Sequence, residues 1–361
     1  MIYTVAVVGI IAMFLAYIKP DKFKYGLELA WLVIFVFLAI RYNFGNDYEG
    51  YRENFDYFNS YRNFDIHDDT VHAEYGWIYL CRLFSPLGFF GMVIFLTAFE
   101  CWVYYRLIKK YVERKWQWFA IFIFVFTPSL MLIHASMMRQ ALATALFVFG
   151  FQYIVNRKII PYVILIYLAT TVHASAIILY PVFLLGYIRD IRFYKYSAGL
   201  IIIVYVYLLY TSAGLLEYVH AITEFTDMGK YLETYNARTD NVSWGVGAVL
   251  TFYIFSYILF TISLYSKEIR LLFLLLVIGF FTTPFAIMLP MVGRLSYYFL
   301  IISIVCYPTI VSTSFVSKYA NLCRYLASFT IILLTLYSYI TFFQNEVWQD
   351  AYSTYYTIFS I

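Results

Sequence analysis

Ala30-Trp31-Leu32-Val33-Ile34-Phe35-Val36-Phe37-Leu38-Ala39-Ile40 carries no charge, and the next eight residues, Arg41-Tyr42-Asn43-Phe44-Gly45-Asn46-Asp47-Tyr48, hold an arginine, a carboxylate, two amides and two tyrosines. The apolar half reads as the end of a membrane-crossing helix and the polar half as its emergence into water. The polar interval continues to Glu74, the longest such stretch in a chain that otherwise reads as membrane. Donors, acceptors and flat rings gathered at a membrane surface suit the holding of a sugar attached to a lipid.

Composition agrees with the junction. The 361 residues are 63% hydrophobic and 13% charged, with a mean hydropathy of +0.74, which excludes a soluble globular domain. The 39 tyrosines and 36 phenylalanines supply rings suited to membrane interfaces. Only Met1 precedes the first apolar run, so Ile2 to Ile18 is expected to stay as a helix. Cys81, Cys101, Cys306 and Cys323 lack metal-type spacing, and neither a metal nor a disulfide is expected.

A helix needs roughly 20 apolar residues to cross a bilayer. That ruler predicts an all-α polytopic integral membrane protein forming a single membrane domain over 1–361, with about twelve spans. They fall near 2–18, 25–40, 87–108, 117–133, 139–155, 159–172, 174–188, 197–216, 246–265, 271–289, 295–315 and 325–343. An outside N-terminus puts 17 of the 25 basic residues inside, so the positive-inside rule predicts both termini outside. Seven of the eight basic residues then left outside are arginines, whose rigid forks of donors suit phosphate, carboxylate or sugar oxygens.

Two outer-face loops are long enough to be shaped. In the first, 41–86, Glu74 to Phe84 predicts a short amphipathic helix lying on the membrane before Ser85-Pro86 turns the chain inward. His67 and His72 lie among acids there and read as a solvated surface. The second loop, 217–245, is densely charged with partial helical periodicity and predicts a helical flap.

Three intramembrane or rim positions stand out. Arg139 falls at the N-terminal end of a predicted helix, where the helix dipole disfavours a cation, so a protein acid or a bound anion is expected beside it and Gln140. His173 lies between two apolar runs; it is either a packing residue or a base able to take a proton from a sugar hydroxyl. Arg294 follows a Pro290 to Gly293 break and precedes Tyr297 and Tyr298, fitting an anion site or a topological anchor.

Five pieces in order, Arg41-Tyr42-x-x-Gly45-x-Asp47-Tyr48-x-x-Tyr51, Glu74-Tyr75-Gly76, Met138-Arg139-Gln140-Ala141-Leu142-Ala143, His173-Ala174-Ser175-Ala176 with Pro181, and Gly293-Arg294-Leu295-Ser296-Tyr297-Tyr298-Phe299, resemble the EpsG-like family of Wzy-type O-antigen, capsule or exopolysaccharide polymerases. The resemblance implies a GT-C-like membrane glycosyltransferase in the bacterial cytoplasmic membrane, working at the outer, periplasmic face without metal, cofactor or nucleic acid. Its donor and acceptor would be undecaprenyl-pyrophosphate-linked oligosaccharides, its surroundings membrane lipid, and its partners a chain-length regulator and a flippase. On that reading Arg139 and Arg294 hold the pyrophosphate while His173, or a carboxylate such as Asp47 or Glu74, deprotonates the acceptor. Arg41, Asp47, Tyr48, Tyr51, Glu74, Gln140 and Tyr297 line the substrate. A ligase with the same donor, a membrane acyltransferase and a transporter are the alternatives. Glu100 and Arg106 are the only charges near a span interior, which gives a transport path little support.

Overall fold

The computed structural model describes residues 1–18, 22–60, 73–204, 206–207, 246–281 and 294–360, and it is helical throughout apart from one two-residue strand pair. Two compact units emerge. The first comprises Met1–Tyr187, Tyr307–Ser312 and Thr335–Ile361, and the second Ile188–Cys306 and Thr313–Leu334.

In the first unit, α1 (Ile2–Tyr17) packs on α2 (Gly26–Ala39) and, further along the chain, on α6 (Gln117–Phe126). The reason is visible in α1 itself. Val5, Gly9, Ala12 and Ala16 make a buried stripe of small side chains at helical spacing, which lets neighbouring backbones approach closely. Tyr3, Val7, Ile10, Phe14 and Tyr17 on the other face are large, apolar and exposed. A helix apolar all round is what a lipid solvent demands, because only the packing face and not a polar face distinguishes its sides.

Charge returns at α3 (Tyr48–Ser60), where Tyr48, Tyr51, Phe55 and Phe58 are buried at spacings of three and four while Glu53, Asp56 and Ser60 face out. Phe89, early in α5 (Gly88–Tyr111), receives Tyr48 and Phe55 edge-on at 5.4 and 5.8 Å between ring centres. The predicted surface helix is α4 (Tyr75–Leu83), ended by the short 3-10 turn Ser85–Leu87, whose Pro86 sits in a first turn where the missing N–H costs nothing. Then α5 packs on α8 (Met138–Val155), and α8 on α9 (Ile159–Val172) and on the 3-10 helix Ala174–Tyr187.

Among the described residues, three helices, Ser85–Tyr111, Met138–Val155 and Lys318–Gln344, are long and apolar enough to cross a bilayer, and six shorter apolar helices accompany them. Several expected spans differ in form. The 117–133 run is two helices, α6 and α7 (Leu132–Ser136), since Thr127-Pro128 interrupts it: a proline lacks the N–H and restricts the residue before it. The 174–188 run is wound as a 3-10 helix with Pro181 inside it. The expected helical flap at 217–245, residues 61–72 with His67 and His72, and the Pro290 to Gly293 break all lie outside the described residues.

The C-terminal tail ties down the polar stretch after α2. Tyr356–Thr357 pairs antiparallel with Arg41–Tyr42, the Ile358 N–H donates to Ile40 O at 2.9 Å and the Gly45 N–H to Ala351 O at 3.3 Å. Tyr355 stacks on Phe37 with ring centres 4.5 Å apart, and its hydroxyl donates to Phe37 O. The Met1 ammonium donates to Ser353 O at 3.1 Å, so the first and last residues share the face that carries Arg41.

Within the second unit, Lys267–Phe281 packs on Tyr297–Leu300, and Arg270 donates to Tyr265 O at 2.8 Å while lying over the Tyr194 ring.

Asn43 and Gly45 both have positive φ, 45° and 88°, which turns the chain out of its strand into α3. A Cβ on Gly45 would stand 2.4 Å from Ser136 Cβ and Oγ. Gly45→Ala therefore meets both a strained backbone and a clash, and is expected to destabilise by about 2 kcal/mol or more, read as a lowered melting temperature of the detergent-solubilised protein.

Candidate functional site

Glu74 is the last extended residue before α4, with φ −70° and ψ 147°. Its backbone carbonyl starts the helix by accepting from Trp77 and Ile78, while its side chain leaves the helix it caps. One carboxylate oxygen, Oε2, accepts from Arg139 Nη1 at 2.5 Å. The other, Oε1, accepts from the Ala174 N–H at 2.8 Å and lies 3.6 Å from His173 Nδ1.

Each partner is presented by a helix end. Arg139 is the second residue of α8, where a cation opposes the helix dipole and the Glu74 charge offsets it. His173 terminates α9 in an extended conformation, and the next N–H, at the start of the 3-10 helix, is one of the donors a helix leaves unbonded. Glu74 satisfies that donor from a hundred residues away in sequence. Close seating makes this reach feasible: a Cβ on Gly76 would stand 2.4 Å from Thr171 Oγ1 and 2.6 Å from Thr171 O, so α4 rests directly on the end of α9.

Tyr51 completes the cluster from α3. The Arg139 guanidinium lies 5.9 Å from its ring centre, and the ring tilts against buried Trp77 at 5.3 Å. The Glu74, Arg139 and His173 side chains are 23%, 25% and 20% exposed, so the cluster is lined by protein yet open to a ligand.

Burial by itself would raise the Glu74 pKa, but the His173 contact, the Ala174 N–H and the Arg139 charge together outweigh it and hold the carboxyl down at about 2. Burial pushes the Tyr51 phenol above its usual range, with the Arg139 charge opposing it. At neutral pH Glu74 is ionised and Tyr51 is a neutral hydroxyl.

Of the ten residues the sequence singles out, the structure brings four together: Tyr51, Glu74, Arg139 and His173. Asp47 stands nearby, close enough to influence Tyr51, with its N–H donating to Ser136 Oγ at 3.3 Å. Gln140 is buried, and its carbonyl accepts from Thr144. Arg41 and Tyr48 face the interior instead of a sugar. Arg41 is 3% exposed and donates to Leu38 O, to Thr97 Oγ1 at 2.9 Å and to Ala135 O at 3.1 Å. Tyr48 is buried with its hydroxyl donating to Arg41 O. Arg294 and Tyr297 lie in the second unit, electrostatically coupled to each other.

Sequence reasoning missed Gly76 against Thr171, Ser136 and Trp77. Glu74-Tyr75-Gly76 pairs a small residue with a functional one, the only local signal that a close approach was needed.

A family model described as the EpsG family matches residues 24–357. No curated protein and no solved structure matches the chain.

A carboxyl held below its unfolded-state value contributes stability that is complete above the unfolded pKa, near 4.3, and is lost as pH falls through the folded one. The melting temperature of the wild type is therefore expected to fall between about pH 5 and pH 2 through Glu74, and the slope contributed there to vanish in Glu74→Gln.

Proposed function

The chain belongs to the EpsG family, a membrane protein of polysaccharide-polymerase type, and from that premise we propose that it joins lipid-linked repeat units. The donor is a glycan on undecaprenyl pyrophosphate, the acceptor the nonreducing-end hydroxyl of a second lipid-linked unit, and the working face is the outer face of the cytoplasmic membrane. The observation that carries the reading is the Glu74, Arg139, His173 and Tyr51 cluster at the helix ends.

Within the cluster His173 suits the role of base better than Glu74. Glu74 is held at about pKa 2 by its partners and has little tendency to take a proton at neutral pH. It serves to orient: with Glu74 Oε1 3.6 Å from Nδ1, the carboxylate favours a proton on that nitrogen, which leaves Nε2 as the acceptor. In the step, an acceptor hydroxyl passes its proton to His173 Nε2 as its oxygen bonds to the donor's anomeric carbon. The bond from that carbon to the phosphate oxygen breaks, and undecaprenyl pyrophosphate leaves with the electron pair. A guanidinium has five N–H donors, so Arg139 retains donors for the leaving diphosphate while bonded to Glu74. Tyr51, buried between Trp77 and the Arg139 guanidinium and hydrogen-bonded to Arg139, holds that guanidinium in place beside the sugar.

Purified protein given synthetic undecaprenyl-pyrophosphate repeat units is expected to make a ladder of lengthened chains. His173→Ala and Arg139→Ala should each slow it by about 10²- to 10⁴-fold. Glu74→Gln is expected to lower turnover while leaving acceptor affinity near normal. Transfer to a non-polymerised acceptor in place of a ladder would favour a ligase, and full activity in His173→Ala removes the assigned base.

A further inference from the structure

The far end of α5 carries a second site of different chemistry. Arg106 lies 18 residues after Gly88, so along the helix axis it is about 27 Å from the end that adjoins the Glu74 cluster, close to the hydrocarbon thickness of a bilayer. Several basic residues near this face are committed within the protein. Lys109 bonds Glu28 at 2.9 Å, Lys115 meets Glu113 at 3.0 Å, Arg114 donates to Gln117 at 2.8 Å and Arg157 to Gly186 O at 3.2 Å.

Arg106 differs from these. Its guanidinium lies 4.8 Å from the Trp102 ring centre and 5.7 Å from that of Phe149, two rings from α5 and α8 that are themselves 5.6 Å apart, and no carboxylate pairs with it among the described residues. Resting on this aromatic pair at an exposed position, the guanidinium keeps N–H donors on the side away from the rings. One turn along, Lys110 lies over Tyr111 at 4.7 Å. The two cations line a cavity of about 60 Å³ between α5 and α8, together with Gln152, and no lining residue is acidic. A snorkelling arginine of the ordinary kind needs neither the aromatic pair from two helices nor the cavity.

What lies beside the cations selects the occupant. Trp102, on which Arg106 rests, is 43% exposed and also walls an apolar groove of about 300 Å³ between α2 and α5, lined by Trp31, Leu32, Phe35 and Ala98. The one acid at that groove, Glu28, is already bonded by Lys109 and Tyr105. A doubly basic pocket whose Arg106 rests on a tryptophan that also walls an apolar groove matches a molecule having an anionic head and a hydrocarbon tail.

We propose that Arg106 and Lys110 form a binding site for the phosphate of an anionic phospholipid in the leaflet opposite the Glu74 cluster, with an acyl chain running over Trp102 into the α2/α5 groove. The site is independent of the polymerase reading: it anchors the α5 and α8 ends to lipid, whatever chemistry occurs across the membrane.

The full chain, purified and stripped of lipid in detergent, is melted after addition of phosphatidylglycerol, phosphatidylcholine or inorganic phosphate. Phosphatidylglycerol is expected to raise the melting temperature of the wild type by about 5 °C and the other two to leave it unchanged. The gain should be lost in the double variant Arg106→Gln with Lys110→Gln and kept in Lys109→Gln, whose parent side chain is bonded to Glu28. Both altered side chains are exposed, so folding is checked simply by unchanged helicity. Native mass spectrometry gives a second readout: the double variant should retain less phosphatidylglycerol. An equal gain from phosphatidylcholine, a gain reproduced by inorganic phosphate, or a double variant that keeps its gain and its retained lipid overturns the proposal.

Discussion

A carboxylate shielded from water is costly unless each of its oxygens finds a partner, and Glu74 finds three on two helix ends. The arrangement on α8, α9 and the 3-10 helix depends on that requirement. Removing Glu74 would leave the Ala174 N–H unbonded, the Arg139 charge uncompensated and the His173 ring without its orienting acceptor. One side chain thus does three positional jobs, and their common answer to the dipole at α8, the open donor at Ala174 and the ring at His173 is a negative charge.

Arg41 plays the corresponding part inside the protein. Fully enclosed, it donates to α2 at Leu38, to α5 at Thr97 and to α7 at Ala135. The same arginine supplies the carbonyl that Tyr48 bonds at the start of α3, and it pairs in the short sheet with the C-terminal tail. The polar stretch after α2 is therefore held from both directions, by an interior cation and by a returning strand, which fixes where α3 presents Tyr51 to Arg139. A cluster with a flexible floor would lose that alignment.

Two aromatic arrangements divide the labour along α5 and α8. At one end Tyr51 faces a guanidinium already paired with Glu74; at the other Trp102 and Phe149 face one that has no carboxylate partner among the described residues. The first suits a site where charge must be balanced until a substrate arrives, and the second a site that takes its counter-charge from outside the protein.

Much was legible in the residues alone. Continuous apolar runs announced a membrane protein, because lipid tolerates no unbonded backbone and few charges, and Glu74 to Phe84 read as a surface helix because its apolar positions recur with a helical period. Arg139 at a helix start implied a nearby anion. The helix at Tyr48–Ser60 has the same legible period, 48, 51, 55 and 58, yet its charge density hid it as a loop. What only the tertiary structure decided was which motifs meet. Glu74 reaches Arg139 across 65 residues and Ala174 across 100, while Arg41, equally polar in sequence, turns inward. Periodicity and composition act over one or two helical turns, whereas a carboxylate chooses its partners through the packing of several helices, and that choice is made only when their ends are brought within about 3 Å.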